Sequence, residues 1–220
     1  MISIVIPAFN EEKRIGDTLS LLKRTVRQKH EVVVVCEGSD ATARIARRLG
    51  ARVFHFKERL GKGKAMRIGI SKAKGEVVIL YDADAATPPT EIPKLLRALE
   101  KADVAIGTRY SNLSKIEISK PRLFTGLFFN LLARLLFGLG FSDTQCGFKG
   151  LRRNKALELV EKAKTNGFVW DVELLYRAKK MRVVEVPISW HEVGGGTLSG
   201  SGLKIVFKML FELLTLRLAI

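Results

Sequence analysis

Tyr81-Asp82-Ala83-Asp84 is the segment of this 220-residue chain whose residue types and spacing speak most directly of chemistry. The apolar run Glu76-Val77-Val78-Ile79-Leu80-Tyr81 before it reads as a buried parallel strand, so two carboxylates follow directly on a strand end. Ligands of open α/β sheets bind just beyond the carboxyl ends of strands. Side chains alternate along an extended backbone, so Asp82 and Asp84 leave it in the same direction. Two convergent carboxylates offer hard oxygen ligands to Mg2+ or Mn2+ and leave coordination positions open for diphosphate oxygens. Asp-X-Asp by itself is commonly an ordinary surface turn, so the site depends on what surrounds it.

The elements that must position it alternate through the first half. Strands are expected at 2–6, 31–36, 51–55, 76–81 and 103–107, and helices at about 11–27, 40–49, 62–73 and 90–101. Asn10, Ser39 and Thr90 suit helix N-caps, and Gly50 and Gly75 suit helix ends. Near-continuous Val/Ile strands between amphipathic helices imply an α/β fold, a mostly parallel sheet with helices on both faces. At this length one domain is the default, and no repeat or linker interrupts it.

Other chemistry-bearing residues fall at the same sheet edge. Pro7 ends the first strand and turns the chain at the crevice. Phe9 offers an apolar face to a base or ribose, and Glu11 offers hydrogen-bond acceptors, although an acid also suits a first helical turn. Lys62 lies between two glycines at a helix start, where close backbone approach and free N–H groups suit an anion. The spacing is not that of a nucleotide triphosphatase phosphate loop. Arg109, Lys120, Arg122, Arg134 and Lys149 are candidates for a second phosphate, since the guanidinium fork matches phosphate oxygens. Arg109 and Arg122 come first because they flank a long apolar segment.

That segment, residues 121–141, is long enough to reach across a bilayer. Arg122, Asn130 and Arg134 recur at helical spacing, with Leu127, Phe128, Leu131, Leu132, Leu135 and Leu136 opposite. A charge near the bilayer centre costs roughly 2.5–3.5 kcal/mol, so an interface helix is favoured over a spanning one, with a buried core helix as the alternative. Residues 201–220 repeat the pattern, with Leu203, Val206, Phe207, Leu210, Phe211, Leu214 and Leu218 on one side and Lys204, Lys208 and Arg217 elsewhere. A formal net charge of +16 fits nucleic acid, an anionic membrane or phosphorylated substrates. The apolar faces favour an anionic membrane, and nucleic-acid signatures are missing. Cys36 and Cys146 sit in no metal spacing and fit buried free thiols in a reducing compartment. The opening Met1-Ile2-Ser3-Ile4-Val5-Ile6-Pro7 reads as a first strand rather than a signal peptide.

The ordered set Val5-Ile6-Pro7-Ala8-Phe9-Asn10-Glu11-Glu12, Cys36-Glu37-Gly38-Ser39-Asp40, Leu60-Gly61-Lys62-Gly63-Lys64-Ala65, Asp82-Ala83-Asp84 and Gly107-Thr108-Arg109-Tyr110 resembles the glycosyltransferase family 2 catalytic domain of GT-A fold. Asp143-Thr144-Gln145-Cys146-Gly147-Phe148-Lys149, Phe168-Val169-Trp170-Asp171-Val172-Glu173-Leu174-Leu175 and Glu185-Val186-Pro187-Ile188 with Trp190 resemble its polyprenyl-phosphate branch, the dolichyl-phosphate glucosyltransferases and then the mannose synthases. The match runs from residue 2 to about 200.

The resemblance implies an inverting, metal-dependent transfer of a hexose from a nucleotide sugar, UDP-glucose or GDP-mannose, to dolichyl or another polyprenyl phosphate. It places Pro7, Phe9, Glu11, Glu37, Lys62 and Asp82-Ala83-Asp84 at the nucleotide sugar, with Asp82 and Asp84 on Mg2+ or Mn2+. Arg109, Arg122 and Lys149 fall at the acceptor phosphate. Asp143 lies where hydroxyl-directed relatives keep a general base; since a phosphate acceptor is already anionic, an orienting or acceptor-side role is expected instead, with Asp143 and Arg109 both counted among the catalytic residues. Asp171 and Glu173 are expected to bind sugar hydroxyls or to cap a helix. Relatives usually carry an Asp-Asp pair where this chain has Cys36-Glu37, and mannose synthases often carry Gln where it has Ala86. No Lys or Arg occurs between 183 and 203, where lipid-phosphate relatives often place one; the run Gly194–Gly200 suits a mobile lid, and Lys204 is the nearest substitute. His191 before it is expected to be structural.

The sequence therefore reads as a GT-A domain over 1–200, containing a 121–141 interface helix, followed by a 201–220 amphipathic helix. Peripheral attachment to the cytoplasmic face of a membrane is expected, with room for a separate membrane partner. The alternatives are a soluble transferase acting on a glycan hydroxyl and a non-catalytic nucleotide-sugar-binding regulatory subunit.

Overall fold

The structure is a computed structural model that describes residues 1–194 and 202–220, with side chains of the last helix from 207 onward. The expected strands form as β1 (Ile2–Phe9), β2 (His30–Glu37), β3 (Arg52–Phe56), β4 (Val77–Leu80) and β5 (Val104–Thr108). Between them run α1 (Ile15–Thr25), α2 (Thr42–Arg48), α3 (Lys62–Lys72) and α4 (Ile92–Ala98). The second half adds β6 (Lys115–Glu117), α5 (Lys120–Phe137), β7 (Lys149–Arg152), α6 (Arg153–Lys162), α7 (Trp170–Arg177), β8 (Val183–Pro187), β9 (Ser189–His191) and α8 (Gly202–Ala219).

Among the described residues the main sheet has the order β3-β2-β1-β4-β7-β5-β8, with β6 and β9 paired separately. All its pairings are parallel except those of β7, which runs antiparallel between β4 and β5. The period-2 alternation of β1 divides the core. Ile4 and Ile6 pack with α1, α2 and α4 on one face, while Val5 packs with α3, α5, α6, α7 and α8 on the other.

Helix starts differ from those expected. Asn10 adopts a left-handed φ of 51°, and α1 begins only at Ile15, behind a turn in which Ile15 N–H donates to the Glu11 carbonyl. Asp40 rather than Ser39 serves α2, its carboxylate accepting from the Thr42 N–H at 2.9 Å. Thr90 lies inside a short 3-10 turn, Pro89–Glu91, that leads into α4.

The largest correction concerns α5. Asn130 is expected on one polar stripe with Arg122 and Arg134, but it is only 5% exposed. Its amide donates to the Ser142 carbonyl at 2.6 Å and accepts from the Thr144 N–H and hydroxyl at 2.9 and 2.8 Å. The polar residue thus faces inward, because the backbone polar groups of the 142–144 loop need partners once buried. The outward face is largely apolar: Phe124, Leu127, Phe128, Leu131 and Leu135 are exposed, with Lys120 and Arg134 as the exposed charges of the helix. The C-terminal helix is not a separate appendage, since Leu213 and Leu216 are buried in the main core. Phe207, Phe211, Leu214 and Leu218 nonetheless face outward from α8, which packs beside α5. Among the described residues no helix is long and apolar enough to cross a membrane.

Replacing Asn130 with Ala strands the buried polar groups of the 142–144 loop. Urea denaturation should report a loss of about 1–3 kcal/mol, the usual cost of unsatisfied buried partners.

Candidate functional site

One crevice, about 700 Å3 in volume, opens at the carboxyl ends of β1, β2, β4 and β5. Its walls include Pro7, Phe9, Glu11, Glu37, Lys62, Asp82, Ala83, Asp84, Arg109 and Arg122. The structure therefore brings together most of the residues singled out from the sequence. Asp143 and Lys149 are not among its lining.

Phe9 follows from β1 into the crevice, and the guanidinium carbon of Arg59 lies 4.3 Å from its ring centre. Arg59 is a wall residue that no motif marks; its place depends on where the 57–61 turn runs. That turn is tied to the end of β2 by Glu37, whose Oε2 accepts from the Leu60 and Gly61 N–H groups at 2.6 and 2.9 Å. Glu11 accepts from Arg14 at 2.6 Å. Burial pushes the Glu11 carboxyl above its ordinary range despite that arginine. Ala83 lends its carbonyl to the Thr18 hydroxyl at 2.7 Å, locking the carboxylate turn onto α1.

Asp82 and Asp84 follow β4 as the parallel strand requires. Burial, and then the neighbouring Asp82 charge, hold the Asp84 carboxyl above the usual carboxylate range. Lys62 Nζ sits 3.3 Å from Asp82 Oδ1 and 3.2 Å from Asp171 Oδ2. Burial alone would lower the Lys62 pKa, but the two carboxylates outweigh it and the net direction is up. Lys149 Nζ donates to Asp171 Oδ1 at 2.5 Å and also to the Cys146 carbonyl. The series Lys149–Asp171–Lys62–Asp82 therefore runs from the core to the crevice.

Two features fit a divalent cation at Asp82 and Asp84. An ammonium already stands against Asp82, showing that a cation is accommodated there. Gly147 faces the same carboxylate, and a Cβ at that position would overlap its oxygens. Among the described residues no third acidic, His or Cys side chain joins the pair, so the remaining ligands would be diphosphate oxygens and water.

Several expectations are corrected here. Lys149 is fully buried and spent on Asp171 and Cys146, so it does not reach an acceptor phosphate. Asp143 is likewise sealed from the crevice. Its carboxylate accepts from Arg109 Nε at 2.7 Å, Arg109 Nη2 at 2.9 Å and the backbone N–H of Arg109 and Gln145. Burial opposes ionisation, yet Arg109 and these N–H donors hold the Asp143 carboxyl below its usual range. Asp143 thus positions Arg109 and has no lone pair directed at a substrate. Glu173 is also structural, accepting from Lys164 N–H, Thr165 N–H and Arg177. The glycines around Lys62 serve the protein's own packing. A Cβ on Gly61 or Gly63 would strike the Asn166 or Thr165 carbonyl, and the Gly63 N–H is already bound to Asn166 at 2.8 Å.

Elsewhere on the crevice wall, two guanidiniums lie near one indole. Arg109 and Arg122 lie 5.5 and 5.3 Å from the Trp190 ring centre. Arg122 also donates to Glu192 at 3.1 Å. Beyond it the wall continues through Thr125, Gly126 and Phe129 of α5 to Met209 of α8. Lys120 and Arg134 do not line the crevice. His191 is half-buried in β9, its N–H bound to the Ala86 carbonyl. Residues 195–201 of the expected glycine lid and the Lys204 side chain lie outside the described residues.

A family model described as "Glycosyl transferase family 2" matches residues 3–160. The chain is 34% identical to a dolichyl-phosphate beta-glucosyltransferase of Mus musculus, over 90% of this chain and 69% of that one. It is 31% identical to the Saccharomyces cerevisiae protein of the same name, over 99% and 74%. Among solved structures, glucosyl-3-phosphoglycerate synthase from Mycobacterium tuberculosis, in complex with Mn2+, UDP-glucose and phosphoglyceric acid, superposes with a TM-score of 0.75 at 20% identity. That alignment covers 100% of this chain and 80% of the other and establishes the shared fold.

The Gly147 contact gives a direct test of the carboxylate site. Gly147→Ala should displace the flexible Asp82 side chain rather than the backbone. Calorimetry should show Mn2+ affinity falling about 10–100-fold, as for other changes that misdirect a metal ligand, while the thermal midpoint stays close to that of the parent protein.

Proposed function

Because this chain belongs to glycosyltransferase family 2, we propose that it transfers glucose from UDP-glucose, with inversion, to dolichyl or another polyprenyl phosphate. The observation that carries this reading is the continuity of one crevice. Its walls hold Asp82 and Asp84, the Arg109–Trp190–Arg122 group, and residues of α5 and α8, two helices that expose apolar side chains. A donor diphosphate suits the carboxylates, an anionic acceptor the arginines, and a lipid tail the helices.

The chemistry agrees with the residues present. A phosphate oxygen of the acceptor forms a bond to the anomeric carbon while the bond from that carbon to the donor β-phosphate breaks. The bonding electrons leave with the nucleoside diphosphate. A Mg2+ or Mn2+ ion held by Asp82 and Asp84 would neutralise the charge developing there. The acceptor phosphate is already anionic at neutral pH, so no general base is required. That requirement matches Asp143, which is committed to Arg109. Arg109 and Arg122 are assigned to the acceptor phosphate, Arg122 exchanging Glu192 for it. Phe9 and Glu11 are assigned to the nucleoside, while Glu37 holds the 57–61 wall beside it.

The exposed apolar faces of α5 and α8 support peripheral attachment to an anionic membrane, with flanking basic residues adding an electrostatic part. The unpaired buried cysteines Cys36 and Cys146 suit the cytoplasmic side. Residues 1–200 with α8 packed against them form the proposed catalytic unit. The same surface could also receive a membrane-protein partner, which the transfer reaction itself does not require.

The decisive assay incubates the protein with UDP-glucose, a short-chain polyprenyl phosphate and Mn2+, followed by mass spectrometry of the lipid. A glucosyl polyprenyl phosphate is expected, and none when the free polyprenol replaces the phosphate. Asp82→Asn and Asp84→Asn should each abolish the product. Equal transfer to the free alcohol would refute the phosphate-acceptor reading.

Vesicle flotation tests the membrane surface. Binding to anionic vesicles should weaken as salt is raised. Replacing Phe124 or Phe211 with Ser should lower it by about tenfold or more, since burying such a side chain contributes about 1.5–3 kcal/mol.

A further inference from the structure

Lys62 faces two carboxylates at once, and the two are not equivalent. Asp171 is 3% exposed, and its other oxygen is fixed by the fully buried Lys149. Asp82 is on the crevice wall, its side chain 40% exposed. The Lys62 backbone is also fixed, because Gly61 and Gly63 on either side pack against the 165–166 backbone. Its Nζ therefore extends from a held backbone to one buried carboxylate, Asp171, and one partly exposed carboxylate, Asp82.

We propose that Lys62 is a transferable counter-ion, holding Asp82 in the empty crevice and passing to the donor diphosphate when a divalent cation takes Asp82. This rests on the reading of Asp82 and Asp84 as metal ligands and deepens it by assigning the order of charge exchange. Around the pair, the carboxylates of Asp82 and Asp171 stand against the ammoniums of Lys62 and Lys149, and Asp84 is under the charges of Asp82, Arg14 and Lys62. Lys62 keeps the Asp82–Asp84 repulsion partly screened before any ligand arrives. A divalent cation repels the Lys62 ammonium, and the diphosphate that accompanies the cation presents the nearest new negative charge. Lys62 thereby makes metal and nucleotide binding cooperative without any movement of the main chain.

The proposal separates Lys62 from a fixed positive charge that merely attracts anions. A fixed charge strengthens nucleotide binding equally with and without metal. A transferable one strengthens it only when metal has released it from Asp82. Calorimetry with Mn2+ alone, UDP alone, and UDP at saturating Mn2+ should compare the parent protein with Lys62→Met. In the variant, Mn2+ alone should bind more tightly, by about fivefold or more, since its competitor at Asp82 is gone. UDP at saturating Mn2+ should bind about tenfold more weakly, having lost a charge-assisted contact. UDP without metal should be nearly unchanged. An equal loss of UDP affinity in both conditions would overturn the transfer and leave the metal reading intact. A parent protein whose UDP binding ignores Mn2+ would overturn the metal reading and the transfer with it. Should Lys62→Met not fold, Asp82→Asn supplies the complementary test. Metal-free UDP affinity should then rise several-fold as Lys62 is released, and an unchanged affinity would sink the proposal.

Discussion

A fully buried ammonium must be paired, and the pairing of Lys149 with Asp171 is the constraint on which the active crevice depends. An isolated charge in the core would cost several kcal/mol or lose its proton. Lys149 begins β7, the antiparallel strand inserted between β4 and β5, and Asp171 lies in the first turn of α7. Their contact therefore joins the middle of the sheet to the helical layer over it. Asp171 then spends its second oxygen on Lys62, and Lys62 reaches Asp82. The geometry at the strand end is inherited from a counter-charge requirement in the core.

The Arg109 side of the crevice is organised by the same principle in a different arrangement. Asp143 is buried in a loop held by Glu185, which accepts from the Ser142 N–H at 2.8 Å. Its charge is matched by the two-point contact with Arg109, and a bidentate pair fixes orientation as well as energy. Arg109 can then lie against Trp190, with Arg122 near the same indole. Two buried carboxylates thus each hold a cation on the crevice wall, Asp171 for Lys62 and Asp143 for Arg109.

The lipid-facing reading rests on an inversion of ordinary helix patterning. A helix on a water-soluble surface turns polar groups outward. In α5 the inward face carries Asn130, which closes the hydrogen bonds of the 142–144 loop, and the outward face carries leucines and phenylalanines. Leu213 and Leu216 anchor α8 in the core while its other apolar residues remain outside. An apolar surface of this kind, contiguous with a site lined by arginines, suits a substrate with an anionic head and a hydrocarbon tail.

The sequence by itself determined the first half of the fold and the location of its chemistry. Uninterrupted Val/Ile runs select buried parallel strands, and a parallel sheet puts its binding edge where those strands end, so Asp82, Asp84, Pro7, Phe9 and Glu11 were legible from local pattern. Helix starts were less so: Asn10 looks like a cap but occupies a left-handed turn, because the backbone has to clear the crevice first. The tertiary structure alone decided which charges are available. Lys149 and Arg109 look alike as cations in a sequence, yet one is consumed by Asp171 inside the core and the other lines the crevice. Asp143 and Glu173 were readable as acids, but only their partners show that both are filled. The glycines beside Lys62 suited an anion at a helix start, whereas the approach of residues 165–166 explains them. These outcomes depend on contacts between residues up to about a hundred positions apart, such as Lys62 and Asp171, and local periodicity carries no record of such pairings.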